Sequence, residues 1–344
     1  MSASVPVAIL GATGMVGQRM VALLVNHPLF ELAALAASER SADRPYGEAA
    51  TWRLAGEIPV RAAAMRVVGC EPAALPKGVR VVFSALDAKV AGPVEAAFRE
   101  AGFAVITNAS PWRTDPTVPL VIPEVNPDHL ALVDRQGPGF IVANPNCAAV
   151  PLAMALAPLH RRWGVQAVTV STWQAVSGAG YPGESAWDMV GSVHPHASLS
   201  EEAKVQSEPQ KILGSLDGPA AFPISARCVR VPVADGHLVS AQVRLSGDPS
   251  PEAVAACLAE WPGDAPDLPS CPRPPLRVTS RLDRPNTRLD ADNGGGMAVT
   301  IGRVERCAVM GVKFFALAHN TLRGAAGAAV ANGELLHATG RLPA

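Results

Sequence analysis

No apolar run in the 344 residues reaches the ~18 that a membrane span needs, so no spanning helix is expected. An excess of one charge is also missing: 29 Lys and Arg against 30 Asp and Glu leave a net charge of −1. That excludes the global basic field by which proteins hold nucleic acid or an anionic membrane. The six cysteines (Cys70, Cys147, Cys228, Cys257, Cys271 and Cys307) contain no CxxC pair, which argues against a zinc site or a disulfide framework. Met1–Pro6 carries no basic stretch ahead of an apolar one, so no export signal is expected. The thiols are therefore read as reduced, in a cytoplasmic protein. There is no internal repeat, and the 30 Gly and 32 Pro follow no period, which indicates many tight turns and not low complexity.

Apolar residues make up 49% of the chain and charged residues 17%, enough for a large core and incompatible with intrinsic disorder. The length exceeds that of a usual single domain, so two domains are expected. Strand candidates Val5–Leu10, Leu32–Ala37, Val79–Ala85, Phe103–Thr107 and Phe140–Ala143 alternate with helical stretches such as Met15–Val25 and Val90–Ala101. That alternation predicts a parallel sheet of βαβ units. Beyond residue 147 the texture changes. A helix over Ala148–Arg161 is followed by β-rich Val165–Val176, Ile224–Val233, Leu238–Leu245, Met297–Val304 and Ala308–Leu317, which predict a mixed or largely antiparallel sheet. Trp261–Pro275, with its six prolines, reads as a surface loop, and Leu322–His337 as a closing amphipathic helix.

Gly11-Ala-Thr-Gly14-Met-Val-Gly17 follows the first strand and opens a helix. Glycines there let the backbone turn tightly and approach a pyrophosphate at the helix N-terminus. The second strand ends at Ser38-Glu39-Arg40-Ser41. An acid alone would favour a free ribose 2′-hydroxyl. An arginine between two hydroxyls suits a 2′-phosphate, and the balance here leans to NADP.

Cys147 closes Asn144-Pro-Asn-Cys147 at the strand-to-helix switch between the two halves. A cysteine at a helix N-terminus is expected to have a lowered pKa and to be nucleophilic, whereas the other five read as buried structural thiols. Glu201 and Lys204 stand three apart at a helix start and share a face, with a solvated ion pair as the lesser alternative to a binding role.

Five motifs in order, Asn-Pro-Asn-Cys147, Gln174-Ala-Val-Ser-Gly-Ala-Gly-Tyr-Pro-Gly183, Glu201-Glu-Ala-Lys204, Arg230-Val-Pro-Val-Ala-Asp-Gly-His237 and His319-Asn-Thr-Leu-Arg-Gly-Ala-Ala-Gly327, closely resemble the aspartate-semialdehyde dehydrogenase family, in particular its archaeal and fungal branch. The resemblance spans essentially the whole chain. It implies an α/β protein: an N-terminal Rossmann-type domain over 1–147 plus 321–344, and a C-terminal α+β catalytic and dimerisation domain over 148–320. It implies NADP-dependent, phosphorylating oxidation of L-aspartate 4-semialdehyde through a thioester, on the route to lysine, threonine and methionine.

Carried over residue by residue, the resemblance makes Cys147 the nucleophile, His237 the acid/base and Gln174 the residue that orients the acyl group. Arg230 would grip the substrate carboxylate and Glu201 its ammonium, with Asn146 beside them. Arg113 and Lys204 would hold inorganic phosphate. Gly11, Thr13, Gly14, Met15, Val16 and Gly17 would cradle the dinucleotide, with Ser38, Arg40 and Ser41 at its 2′-phosphate. Ser84, Ser177, Gly178 and Asn320 would complete the cofactor site. A homodimer or homotetramer is implied and no resident metal. Two features depart from the family pattern: Ala148 and Ala149 replace the usual hydroxyl after the nucleophile, and Ser192-Val-His-Pro-His196 stands where Asn-Val-Ile-Pro-Tyr is usual. His194 and His196 form an HxH pair for which no third metal ligand is evident. A CoA-linked reductase of the malonyl-CoA type on the same scaffold, an N-acetyl-glutamyl-phosphate reductase and an inactive dinucleotide-binding paralogue remain alternatives.

Overall fold

The computed structural model describes residues 4–195 and 199–343. The first half is built on short apolar strands: β1 (Val5–Leu10), β2 (Phe30–Ala36), β3 (Val67–Val68), β4 (Val81–Ser84), β5 (Ala104–Thr107) and β6 (Phe140–Ala143). Every residue of β4 and β5 is buried, as a parallel sheet covered on both faces requires. All its pairings are parallel, in the order β3-β2-β1-β4-β5-β6. The order reverses between β1 and β4, which opens a crevice beyond their carboxyl ends. Helix α1 (Met15–Leu24) leaves β1 and helix α2 (Ala88–Glu100) follows β4.

The second half begins with α3 (Ala149–Trp163), buried from Ala149 through Leu159. It lies on a seven-stranded sheet of β7 (Val165–Gln174), β8 (His194–Pro195), β9 (Ile224–Arg230), β10 (His237–Leu245), β11 (Leu276–Thr279), β12 (Val299–Cys307) and β13 (Gly311–Ala318). The order is β11-β12-β13-β10-β7-β9-β8, with β7–β9 and β11–β12 parallel and the rest antiparallel. The mixed sheet expected from the β-rich texture is therefore present. Helices α4 (Leu199–Ile212) and α5 (Pro251–Glu260) pack on α3. One apolar core joins Leu10 and Val105 of the first sheet to Val168 and Val239 of the second, with Leu152 and Leu156 of α3 between them.

Two expectations need correcting. The closing helix α6 (Gly327–Ala338) is not amphipathic in its setting, because it is buried on every side from Gly327 to Leu336. The polar residues that mimic a wet face find partners inside the protein. Glu334 accepts from Ser270 Oγ at 2.7 Å and contacts His27 Nε2 at 2.8 Å, and Asn332 donates to Asn144 Oδ1 at 2.6 Å. Nor is Trp261–Pro275 merely a surface loop. Trp261, Ala265 and Leu268 are buried, and the last two join the core of the first half. The segment straps one half to the other. Of the five cysteines expected to be buried, only Cys228 and Cys257 are; Cys70, Cys271 and Cys307 are partly exposed.

Candidate active site

Chain turns at the ends of both sheets converge on one cleft. Gly11 adopts φ +76°, and a Cβ there would stand 2.7 Å from Ala85 O. A Cβ on Gly17 would stand 2.2 Å from Gly11 O. Only glycines allow this tight passage from β1 into α1 beside the end of β4. Gly14 is the exposed N-cap of α1 and supplies no side-chain cap, so the helix presents its first N–H groups outward. This cradle fits a pyrophosphate. Gly11 N–H and Ala12 N–H donate to Ala36 O, which sets the end of β2 alongside. Ser38, Glu39 and Arg40 follow in an exposed turn, with Ser41 N–H donating to Ser38 O at 2.8 Å.

Cys147 lies at the mouth of α3 and is partly exposed. Its Sγ is 3.1 Å from His237 Nε2. Ala175 N–H donates to His237 Nδ1 at 3.0 Å, so the neutral imidazole carries its proton on Nε2, facing the sulfur. Gln174 and Arg230 are the last residues of β7 and β9, in register, while His237 is the first of β10. The carboxyl ends of two strands and the start of an antiparallel third thus meet behind Cys147. Arg230, 4% exposed, donates through Nη1 to Ala175 O at 2.9 Å and through Nε to Glu184 at 3.1 Å. Gln174 Nε2 donates to Thr172 Oγ1 at 3.2 Å.

The thiol does not match the helix-dipole expectation. Burial pushes Cys147 up to about 12, Glu201 adds to the rise, and Arg113 and Arg230 oppose it. The helix starts at Ala149, and Asn146 Oδ1 accepts from Ala148 N–H at 2.9 Å and Ala149 N–H at 3.3 Å. The N–H groups of Ala148 and Ala149 are thus turned to an asparagine, which takes over the cap those two residues cannot supply, and Cys147's own backbone N–H is left to favour the thiolate.

Asn146 Nδ2 donates to Glu201 at 2.8 Å, and Glu201 pairs with Lys204 at 2.6 Å. The i,i+3 pair left open by the sequence exists, but it lines the cleft. A cavity of about 510 Å³ brings together Cys147, Arg113, Asn146, Gln174, Glu201, Lys204, Arg230, Ser177, Gly178, Asn320 and Val16. Ser177, Asn320 and Asp235 are linked in a chain of 2.8 Å hydrogen bonds. Met15 lines an adjoining cavity of about 660 Å³. Ser84 is fully buried beneath the cleft. His194 pairs with Arg230 in a short edge ladder, and His196 lies outside the described residues.

The sequence reading missed three residues. Glu184 contacts Arg230. A Cβ on Gly324 would stand 2.5 Å from Cys147 Cβ, so only a glycine fits against that cysteine. Glu208, 4% exposed, accepts from Asn146 N–H and from Arg113 Nη1. Its seven-residue spacing from Glu201, two helical turns on, is the signal that could have found it.

Residues 6–133 match the family described as semialdehyde dehydrogenase, NAD binding domain, and residues 156–323 match semialdehyde dehydrogenase, dimerisation domain. The chain is 44% identical to a Methanothermobacter thermautotrophicus protein named aspartate-semialdehyde dehydrogenase, over 97% of this chain and 99% of that protein. The chain belongs to the aspartate-semialdehyde dehydrogenase family. A second relative of that name, from Archaeoglobus fulgidus, is 43% identical over 96% of this chain and 97% of its own length. The crystal structure of aspartate semialdehyde dehydrogenase with NADP from Candida albicans superposes with a TM-score of 0.91 at 38% identity, over 99% of this chain and 100% of that one. Aspartate semialdehyde dehydrogenase II from Vibrio cholerae gives 0.79 at 29% identity, over 98% and 99%. The match to a dimerisation domain points to self-association within this family.

Proposed function

We propose that the chain is an NADP-dependent, phosphorylating aspartate-semialdehyde dehydrogenase that interconverts L-aspartate 4-semialdehyde and L-4-aspartyl phosphate. The observation that carries this reading is the contact of Cys147 Sγ with His237 Nε2 on the wall of a cavity holding Arg230, Glu201, Arg113 and Lys204. Family membership and the relatives' names support it.

Arg230, its guanidinium fixed by Ala175 O and Glu184, receives the substrate carboxylate, and Glu201 receives the ammonium. That anchoring brings the aldehyde carbon to Cys147 Sγ. The new C–S bond forms as the carbonyl π bond opens, and the sulfur's proton passes to the carbonyl oxygen by way of His237, whose Nε2–H donates to that oxygen as Nε2 takes the proton from sulfur. Gly11–Gly17 and Ser38, Arg40 and Ser41 would hold NADP, with Ser177, Gly178 and Asn320 on the cleft wall and Ser84 buried behind it, and the bound cofactor would supply the hydride acceptor. Gln174 orients the resulting acyl group. Arg113 and Lys204 then present phosphate to the thioester carbon. The new C–O bond forms, the C–S bond breaks, and the thiol is regenerated. The division 1–147 plus 321–344 and 148–320 assigns cofactor binding to the first unit and chemistry and dimerisation to the second. We place the enzyme in the cytoplasm as a homodimer or homotetramer.

The test is turnover of NADP with aspartate semialdehyde and phosphate, run beside malonyl-CoA reduction, with Cys147→Ala as control. Phosphate-dependent turnover that vanishes in Cys147→Ala is expected. Acyl release to CoA in preference to phosphate would move the assignment to the CoA-linked enzyme.

A further inference from the structure

Helix α4 presents Glu201, Lys204, Glu208 and Lys211 at spacings of three, four and three, which puts all four on one face. The first two face the cleft already described. The last two hold a different object, the loop that carries Arg113. Lys211 Nζ donates to three backbone carbonyls of that loop, Arg113 O at 2.9 Å, Asp115 O at 2.6 Å and Val118 O at 2.8 Å. Glu208 takes the side chain: Oε1 accepts from Arg113 Nη1 at 3.3 Å, while Arg113 Nη2 donates to Asn108 O at 2.6 Å. The other oxygen, Oε2, accepts the backbone N–H of Asn146, the residue before Cys147.

Three segments distant in sequence therefore meet at one buried carboxylate: the loop after β5, the turn before α3, and α4 itself. A carboxylate is the one side-chain group that suits this post. Both partners are donors, and an ionised carboxylate offers two acceptor oxygens and no hydrogen. An amide of the same shape would turn an N–H toward one of the two donors.

We propose that Glu208 is a positioning residue that locks the Arg113 guanidinium and the backbone ahead of Cys147 into one frame, so that phosphate is delivered to the acyl carbon on the sulfur. The proposal rests on the reading of Arg113 as a phosphate ligand. Glu208 never touches substrate. It fixes the angle at which Arg113 presents its remaining N–H groups to the cavity, and it couples that angle to the position of the nucleophile.

The test compares wild type, Glu208→Gln and Glu208→Asp. Two quantities are read: the apparent KM for phosphate, and the phosphate concentration that protects Cys147 from iodoacetamide in the absence of substrate. Loss of one charge-assisted contact at Arg113 should raise both by at least ~10-fold in Glu208→Gln. The single-turnover acylation burst should fall by much less, and the affinity for NADP should hold. Glu208→Asp keeps the charge but lacks the reach to bridge both donors, so it should fall between the two. If Glu208→Gln matches a phosphate-responsive wild type in both readouts, the proposal is overturned alone. A parallel fall in burst, NADP affinity and phosphate response would also overturn it, in favour of a purely structural carboxylate. A wild type that turns over the semialdehyde yet ignores phosphate would overturn the reading of Arg113 and the proposal with it.

Discussion

Replacing Glu201 by glutamine should make Cys147 more reactive while making the enzyme worse. The resting thiol sits at about 12, raised first by burial and next by the Glu201 carboxylate. At pH 8 a group titrating there is ionised in about one molecule in 10⁴, against roughly one in four or five for a free cysteine near 8.5. A negative charge beside a thiol disfavours its thiolate, so removing that charge lowers the pKa. A like charge at close range is worth ~1–2 units, so the thiolate fraction and the iodoacetamide rate should rise ~10–100-fold. Turnover should move the other way. Glu201 accepts from Asn146 Nδ2 and Lys204 and, in the proposed mechanism, binds the substrate ammonium. The assay is pseudo-first-order alkylation of the apoenzyme from pH 7 to pH 10, with mass analysis assigning the adduct to Cys147. In wild type the rate should climb about tenfold per pH unit throughout this window, since the whole window lies below the thiol's pKa. A plateau below pH 9 in wild type, or an unchanged rate in Glu201→Gln, would refute the reasoning.

Two further outcomes are expected. Arg40→Ala, at the exposed turn after β2, should weaken NADP by ~10–100-fold and NAD by little, the loss of one charge-assisted contact; equal losses in a binding titration would shift attention to Glu39. Gly324→Ala sets a methyl 2.5 Å from Cys147 Cβ and 2.9 Å from its Cα, so backbone must move. Since ~1 Å of misplacement can cost ~10² in rate, kcat should fall by about that factor with NADP affinity kept, and activity within threefold of wild type would contradict the close packing.

Much of this fold was legible because local pattern and global architecture agree. The run Val5–Leu10 followed by three spaced glycines is a strand, a turn and a helix at any scale of inspection, and it sits at the switch point between β1 and β4. The candidate site residues stood out as motifs, and the chain brings Cys147, Gln174, Arg230, Glu201 and Lys204 to one cavity. What resisted reading depends on partners remote in sequence. The thiol's protonation follows from burial and from a carboxylate 54 positions away, neither visible in Asn-Pro-Asn-Cys. Glu334 and Asn332 look solvated until His27, Ser270 and Asn144 are found around them. Glu208 carries no motif of its own and acquires meaning only where Arg113 and Asn146 meet it.

Helix α6 is built into the core of the first sheet, where Leu335 and Leu336 share a cluster with Phe30, Phe83 and Met20, and a Cβ on Gly333 would stand 2.7 Å from the Phe83 ring. During synthesis this helix emerges ~180 residues after the strands it covers are complete, a lag of roughly 10–35 s at usual elongation rates. For that interval the nascent cofactor unit carries an open apolar face with its native cover still unmade. The second unit is translated in full meanwhile, so the part of the molecule begun first is the part finished last.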